Sequence, residues 1–245
     1  MLKQKVIGIG AARTATISRF SNPDFIRDLP DLPVFPDTLL KVELALHERP
    51  VELARISALI LADLGAAIQV MRLARREWDD GAKPDRIEEC ICSLGLQACL
   101  DAMSKRTIAR CPRNLAVVRA WEHAAAIAGL SGLMAEEQSS ATTTEEATWV
   151  GLCHEIGSLP EVLGWDLAGK RAIDRNATGL AMAEAWFLPR CVAQYFSDLL
   201  ISDRESWRTA IVDRAHERVE AAGPCRPGSC TLPLDFDSAA KAQAI

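Results

Sequence analysis

The sequence predicts an all-α fold, because apolar residues recur at helical spacing along most of the chain. From Leu53 to Ile60 they follow one another at intervals of three and four residues, and the pattern returns in residues 87–94 and 207–219. Aromatic residues make up only 5% of the chain, with a single tyrosine, and few segments alternate with the period of two expected of strands. Nothing in the sequence requires a β-sheet.

Turn and capping residues divide the helical stretches in order along the chain. Pro50 suits the first turn of a helix, where a missing N–H does no harm. Asp85 and Glu88 have the spacing of a capping pair, which predicts a helix start there. Cys111-Pro112 ends the first group of helices. Further breaks are predicted at residues 79–84, 139–144 and 223–224, and Ser202 with Glu205 is a capping pair that predicts the start of the last long helix.

Composition narrows the class of protein. A chain of 245 residues with 49% hydrophobic residues can bury a large core, as one large domain or two small ones. The sequence contains no run of 18 uncharged apolar residues, which is the length needed to cross a membrane. The apolar run before Arg13 is short and does not resemble a secretory signal. We therefore expect a cytoplasmic protein. The net charge of −5 argues against broad nucleic-acid binding. The acid-free basic stretch between Asp101 and Glu122 indicates a solvated helix face or a docking surface for an acidic partner or a phosphate.

The eight cysteines are spread through the chain rather than arranged as a disulfide framework. Cys225 and Cys230 lie in a predicted flexible tail, where they could oxidise together, but they lack the C-x-x-C spacing of a zinc or redox site. Five others lie in apolar helical surroundings, which predicts buried, reduced thiols that pack as small hydrophobic groups. These five are Cys90, Cys92, Cys99, Cys153 and Cys191.

The motif most typical of a chemical site is Gly-Leu-Cys-His-Glu-Ile-Gly-Ser at residues 151–158. It resembles the His-Asp-x-Gly-Lys signature of HD-type metal phosphohydrolases, with Glu155 in place of the aspartate and Ser158 in place of the lysine. His123 lies 31 residues before His154, where that family keeps its first metal histidine. The sequence therefore has the frame of a hydrolase with an altered centre.

An ordered series of segments resembles the HDOD domain, the HD-related output domain of bacterial signalling proteins. Residues 29–33 are similar to its opening Leu-Pro-x-Leu-Pro, and the likeness extends from about Leu29 to Ala222. Arg75-Arg76 stand where the family has an Asn-Ser pair. The similar segments are residues 29–36, 62–65, 70–74, 91–95, 121–124, 152–157, Gly179 and residues 186–189.

The resemblance implies an all-α helical bundle in which an N-terminal half, residues 29–112, packs on an HD-phosphohydrolase-like half, residues 113–222. Residues 1–28 are left unassigned, and residues 223–245 are predicted to form a flexible tail. The resemblance also implies a regulatory role through contacts with protein partners of a signalling pathway. Three arginines near a family-typical position are interpreted as a surface that selects the partner. They are Arg72, Arg75 and Arg76.

The resemblance also assigns candidate metal ligands. An HD hydrolase holds its divalent metal with a histidine, a His-Asp pair and a later aspartate, and the metal activates water. The matching positions here are His123, His154, Glu155 and His216. All four residue types can bind a metal, although imidazole in place of carboxylate shifts the preference toward Zn, Ni or Fe.

Three interpretations of this site follow from the sequence. Catalysis is disfavoured because Ser158 cannot supply a permanent cation for developing phosphoryl charge, so no catalytic residue is assigned. The principal hypothesis is a non-catalytic signalling module with no cofactor, in which His123, His216 and Glu155 form a hydrogen-bonded polar network or Glu155 pairs with an arginine. A bound divalent transition metal is the second interpretation. A divergent metal-dependent phosphohydrolase acting on a nucleotide or phosphoester is the alternative function.

Overall fold

The computed structural model describes residues 30–77, 84–108, 114–137, 141–165, 174–201 and 206–221. Within these ranges the regular elements are helices, and β pairing is limited to one isolated bridge between Val34 and Thr107. The predicted all-α class is confirmed. Among the described residues, no single helix is both long and apolar enough to cross a membrane.

The helices fall into two groups along the chain, and a short 3₁₀ turn at Ile156–Ser158 joins two helices of the second group. The first group contains α1 (Pro36–His47), α2 (Leu53–Leu61), α3 (Leu64–Glu77), α4 (Ile87–Leu94) and α5 (Leu96–Ser104). The second group contains α6 (Leu115–Glu136), α7 (Ala141–Cys153), α8 (Leu159–Val162), α9 (Arg175–Ala185), α10 (Arg190–Leu200) and α11 (Trp207–Ala221).

Helix α3 lies at the centre of the first group, and Asp63 fixes where it begins. The Asp63 carboxylate is buried and accepts hydrogen bonds from the backbone N–H of Gly65 at 2.9 Å and of Phe35 at 2.8 Å. It also accepts one from the Thr38 hydroxyl at 2.9 Å. Because one carboxylate satisfies donors at the starts of both α1 and α3, it holds the two helix ends together.

The two groups pack against each other, with α2 contacting α7 and α3 contacting α6. The buried indole of Trp121, on α6, donates from Nε1 to the Pro33 carbonyl oxygen at 3.0 Å. A methyl group at Gly65 would lie only 2.0 Å from that same carbonyl oxygen, so α3 passes very close to the Pro33 backbone. The opening segment of the described chain is thereby clamped between the two groups.

Helices α6 and α7 pack closely along each other, and α11 contacts both of them. A methyl group at Gly151 would lie 2.8 Å from the Ile127 carbonyl oxygen, so the glycine allows the two backbones to approach. This arrangement positions the candidate site, since His123 lies on α6, His154 directly follows α7 and His216 lies on α11.

Several sequence predictions are corrected by the structure. Cys92 is exposed, whereas Cys90, Cys99, Cys153 and Cys191 are buried free thiols as expected. The N-cap residue of α4 is Arg86, one residue after Asp85, which the sequence predicted for this position. The backbone N–H of Asp85 donates a hydrogen bond to the Glu89 carboxylate at 3.2 Å.

Some predictions fall on residues outside the described ranges. They are the unassigned segment 1–28, the break at Cys111-Pro112, the capping pair at residues 202–205 and the tail 223–245 with its two cysteines. The predicted boundary between the two halves also falls there, and it stays a prediction.

The interpretation of Arg72, Arg75 and Arg76 as one exposed surface is wrong. Arg72 is only 5% exposed, and its guanidinium lies 5.3 Å from the ring centre of Trp186, an arrangement in which the aromatic face stabilises the cation. The Arg75 side chain is largely covered and is paired with Asp85 at 2.7 Å. Only Arg76 presents its side chain to solvent.

Candidate metal centre

Three of the four predicted ligands meet in one cluster. His123, His154 and His216 each offer a ring nitrogen, and these nitrogens lie within 4.8 Å of one another. The ring centres are 5.1 Å apart for His123 and His154, 5.0 Å for His123 and His216, and 4.9 Å for His154 and His216. Residues from three separate parts of the chain therefore converge on one point.

His154 is the most buried member of the cluster, with 6% exposure, and its orientation is fixed by the backbone. Its Nδ1 lies 2.7 Å from the Gly151 carbonyl oxygen, which only accepts, so Nδ1 carries the proton and Nε2 presents a lone pair to the cluster. Burial lowers the pKa of His154 to about 3; the hydrogen bond to Gly151 opposes this shift, and the nearby His123 and His216 add to it. The ring is therefore neutral near pH 7.

His123 faces this lone pair directly. Its Nε2 lies 3.2 Å from Nε2 of His154, and because the His154 atom is unprotonated, the His123 Nε2–H donates. Burial also lowers the pKa of His123, although the nearby Glu155 carboxylate opposes the shift. Both rings are thus held in the neutral form, which is the form that binds metals.

Glu155, the fourth predicted ligand, lies at the rim of the cluster. Its Oε2 is 4.0 Å from Nε2 of His123 and its side chain is 55% exposed. Ser158, which replaces the signature lysine, donates its hydroxyl hydrogen to the Glu155 carbonyl oxygen at 2.7 Å. The Glu155 carboxylate therefore lies beside the three-histidine cluster, and its role as a ligand stays a prediction.

A cavity of about 240 Å³ adjoins the cluster and reaches His154 and His216. The sequence analysis did not identify Arg175, Tyr195 or Asp213, which contribute to its wall. Asp213 could have been found, because it precedes His216 by three residues on a helix and so shares its face. Arg175 and Tyr195 carry no such signal, since α9 and α10 are brought to the site only by tertiary packing. The Arg175 guanidinium is bonded to Glu161 at 2.7 Å.

The three nitrogens suit a transition metal better than a hard cation. Tetrahedral zinc with bonds of 2.0–2.1 Å requires ligand nitrogens about 3.3 Å apart, and the His123–His154 pair is already at 3.2 Å. Neutral imidazoles favour Zn, Cu, Ni and Fe, whereas Mg and Mn favour carboxylates and water. The residues present therefore fit a nitrogen-ligated metal.

Comparisons with known proteins agree on the fold. The sequence model of the HDOD domain family matches residues 32–163. A comparison with curated proteins found no match.

Two crystal structures of the MmoQ response regulator from Methylococcus capsulatus str. Bath resemble the chain. One is 19% identical, covers 80% of this chain and 90% of its own, and has a TM-score of 0.60. The other, a fragment, is 20% identical, covers 80% of this chain and 87% of its own, and has a TM-score of 0.58. An HDOD domain protein with unknown function from Geobacter sulfurreducens is 18% identical, covers 91% and 85%, and has a TM-score of 0.36.

Proposed function

The chain belongs to the HDOD domain family, and on that premise we propose that it is a signalling module that acts through protein contacts and does no chemistry of its own. Membership of a family of this kind and the likeness to a protein named a response regulator support the signalling role. The alternative function is phosphoester hydrolysis. It would require positively charged groups in the site that stabilise the negative charge of a reacting phosphoryl group.

The arrangement around Ser158 is the observation that carries the non-catalytic proposal. Phosphoryl transfer is catalysed mainly by cations and metal-bridging carboxylates aimed at the reacting group. Here the signature lysine is a serine whose hydroxyl is bonded to backbone, and the Glu155 carboxylate is largely exposed. Arg175 lines the cavity, but its charge is paired with Glu161.

An apolar surface on α1 is the proposed site of partner contact. Leu40 and Leu44 lie four residues apart, so they share one face of the helix, and they are 55% and 57% exposed. Val51, which follows α1, and Leu53, the first residue of α2, are also exposed. A single exposed leucine is ordinary on a soluble protein, whereas neighbouring exposed apolar side chains are typical of a protein interface. The chemistry that fits is an apolar face of a partner protein.

The double variant Leu40→Ser, Leu44→Ser is expected to lose at least about 10-fold in partner capture, because removing two central apolar contacts costs more than about 1.4 kcal/mol. Capture would be measured by cross-linking in the native host and quantitative mass spectrometry, with circular dichroism as a check of the fold. Leu133→Ser is the matched control, since Leu133 on α6 is equally exposed at 55%. Partners recovered equally by the wild type, the double variant and the control would contradict the proposal for this surface.

A divergent metal-dependent phosphohydrolase is the second candidate function, favoured by the histidine cluster beside a cavity. We expect no turnover of phosphomonoesters or phosphodiesters above the background of His154→Ala when Mn²⁺, Co²⁺ or Ni²⁺ is added. Product release would be followed with chromogenic esters over several hours. Turnover that depends on metal and disappears in His154→Ala would replace the regulatory proposal with an enzymatic one.

A further inference from the structure

We propose that His123, His154 and His216 form a binding site for one transition-metal ion of the Zn²⁺ class, held by three imidazole nitrogens. This site is separate from the α1 surface, and a metal bound here does not depend on the proposed partner contact. A bound metal ion would be a ligand of this protein in addition to the protein partner proposed above.

The first support is convergence. Imidazole side chains from α6, from the turn after α7 and from α11 point their nitrogens to one place, with all three nitrogens within 4.8 Å. The chain has four histidines, and His47 alone lies elsewhere, bonded to the Glu43 carbonyl oxygen at 2.8 Å. A ring nitrogen of each residue faces the same place, and an imidazole nitrogen that carries no proton can bind a metal.

The second support is the preparation of His154 as a ligand. Its Nδ1–H is bonded to the Gly151 carbonyl oxygen at 2.7 Å, which leaves Nε2 free to bind. Metal-binding histidines almost always donate their other ring N–H in this way, and the bond fixes the tautomer and the ring direction. The Nε2–H of His123 now occupies the space between the two rings, and metal binding replaces that hydrogen when His123 adopts its other tautomer.

The third support concerns the choice of metal. Three imidazole ligands supply no negative charge of their own, and the nearby Glu155 carboxylate stays 4.0 Å from Nε2 of His123, so the ligand set disfavours Mg²⁺ and Mn²⁺ and favours Zn²⁺, Ni²⁺ or Co²⁺. Three protein ligands leave one position of a tetrahedron open, as in catalytic zinc sites. The cavity reaches His154 and His216, so water can complete the coordination from that side.

Calorimetric titration of chelator-treated full-length protein with ZnCl₂ tests the proposal. We expect one Zn²⁺ per chain and a raised unfolding temperature, with no measurable binding of Mg²⁺ or Mn²⁺. His123→Ala and His216→Ala are expected to lose at least about 100-fold in Zn²⁺ affinity, since loss of an outer partner alone costs 10–100-fold. His47→Ala is the matched control and is expected to bind like the wild type.

Two further variants keep the test independent of folding defects. Glu155→Gln is expected to change Zn²⁺ affinity less than about 10-fold, because its carboxylate lies outside the cluster. His216→Asp restores an oxygen ligand and is expected to lower the preference for Zn²⁺ over Mn²⁺. A wild-type protein that binds no Zn²⁺ would show that the rings form only a hydrogen-bonded cluster and overturns the proposal. Binding that survives in both alanine variants, or that Glu155→Gln abolishes, also overturns it.

Discussion

Gly157→Ala is expected to lower the free energy of unfolding by about 3 kcal/mol, because an added methyl group has no space. It would lie 1.9 Å from the Arg175 carbonyl oxygen and 2.9 Å from the Gly179 backbone nitrogen. These are backbone atoms of α9, so relief requires moving the whole helix rather than rotating one side chain. For a chain of this size the loss corresponds to a decrease in unfolding temperature of about 10 °C.

Gly129→Ala is the matched control for this prediction. Gly129 lies inside α6, and a methyl group there would have no neighbour within 4 Å. Since alanine favours a helix over glycine, the control is expected to be unchanged or more stable by about 0.5–1 kcal/mol. Urea denaturation followed by circular dichroism compares the two variants with the wild type. A Gly157→Ala protein as stable as wild type would show that α9 does not pack on the turn after His154.

The same packing explains which parts of the site a single sequence can reveal. His123 and His154 were predictable because they belong to short local motifs at a typical separation, and His216 because it aligns with a position in the last helix. The steric requirement for glycine at position 157 was not predictable, because the backbone that leaves no space for a side chain there belongs to Arg175 on a different helix. Gly179 is similar, because a methyl group there would lie 2.3 Å from the Phe196 ring. Local patterns identify candidate ligands, whereas tertiary contacts determine the space around them.

Arg72 shows the opposite limit of sequence analysis. An arginine followed three and four residues later by two further arginines is typical of an exposed helix face. Arg72 nevertheless lies on the most buried helix of the first group. What covers it is Trp186, from the far part of the second group, and that pairing has no signature in local periodicity. Glu155 illustrates the same point within the site, because the sequence predicts it as a ligand, whereas its carboxylate lies at the exposed rim, 4.0 Å from Nε2 of His123.

Acid is expected to destabilise the metal-free protein through His154. Its pKa is lowered by burial to about 3 in the folded state, whereas the unfolded chain has a value of about 6.5. Between these values the unfolded state binds a proton that the folded state does not, so stability falls as pH falls. Above pH 6.5 the residue has no effect, and between pH 7 and pH 4 it removes about 3 kcal/mol.

The pH dependence of unfolding in His154→Asn isolates this contribution from other titrating groups. Asparagine can still donate to the Gly151 carbonyl oxygen but has no titrating nitrogen, so its stability is expected to fall less steeply between pH 6.5 and pH 4. His47→Asn is the matched control, because it makes the same substitution at an exposed histidine outside the cluster. Urea midpoints at several pH values, with chelator present, give the slopes. Equal slopes for wild type and His154→Asn would mean that the buried imidazole is protonated with the fold intact, and the neutral, ligand-like His154 described above would have to be abandoned.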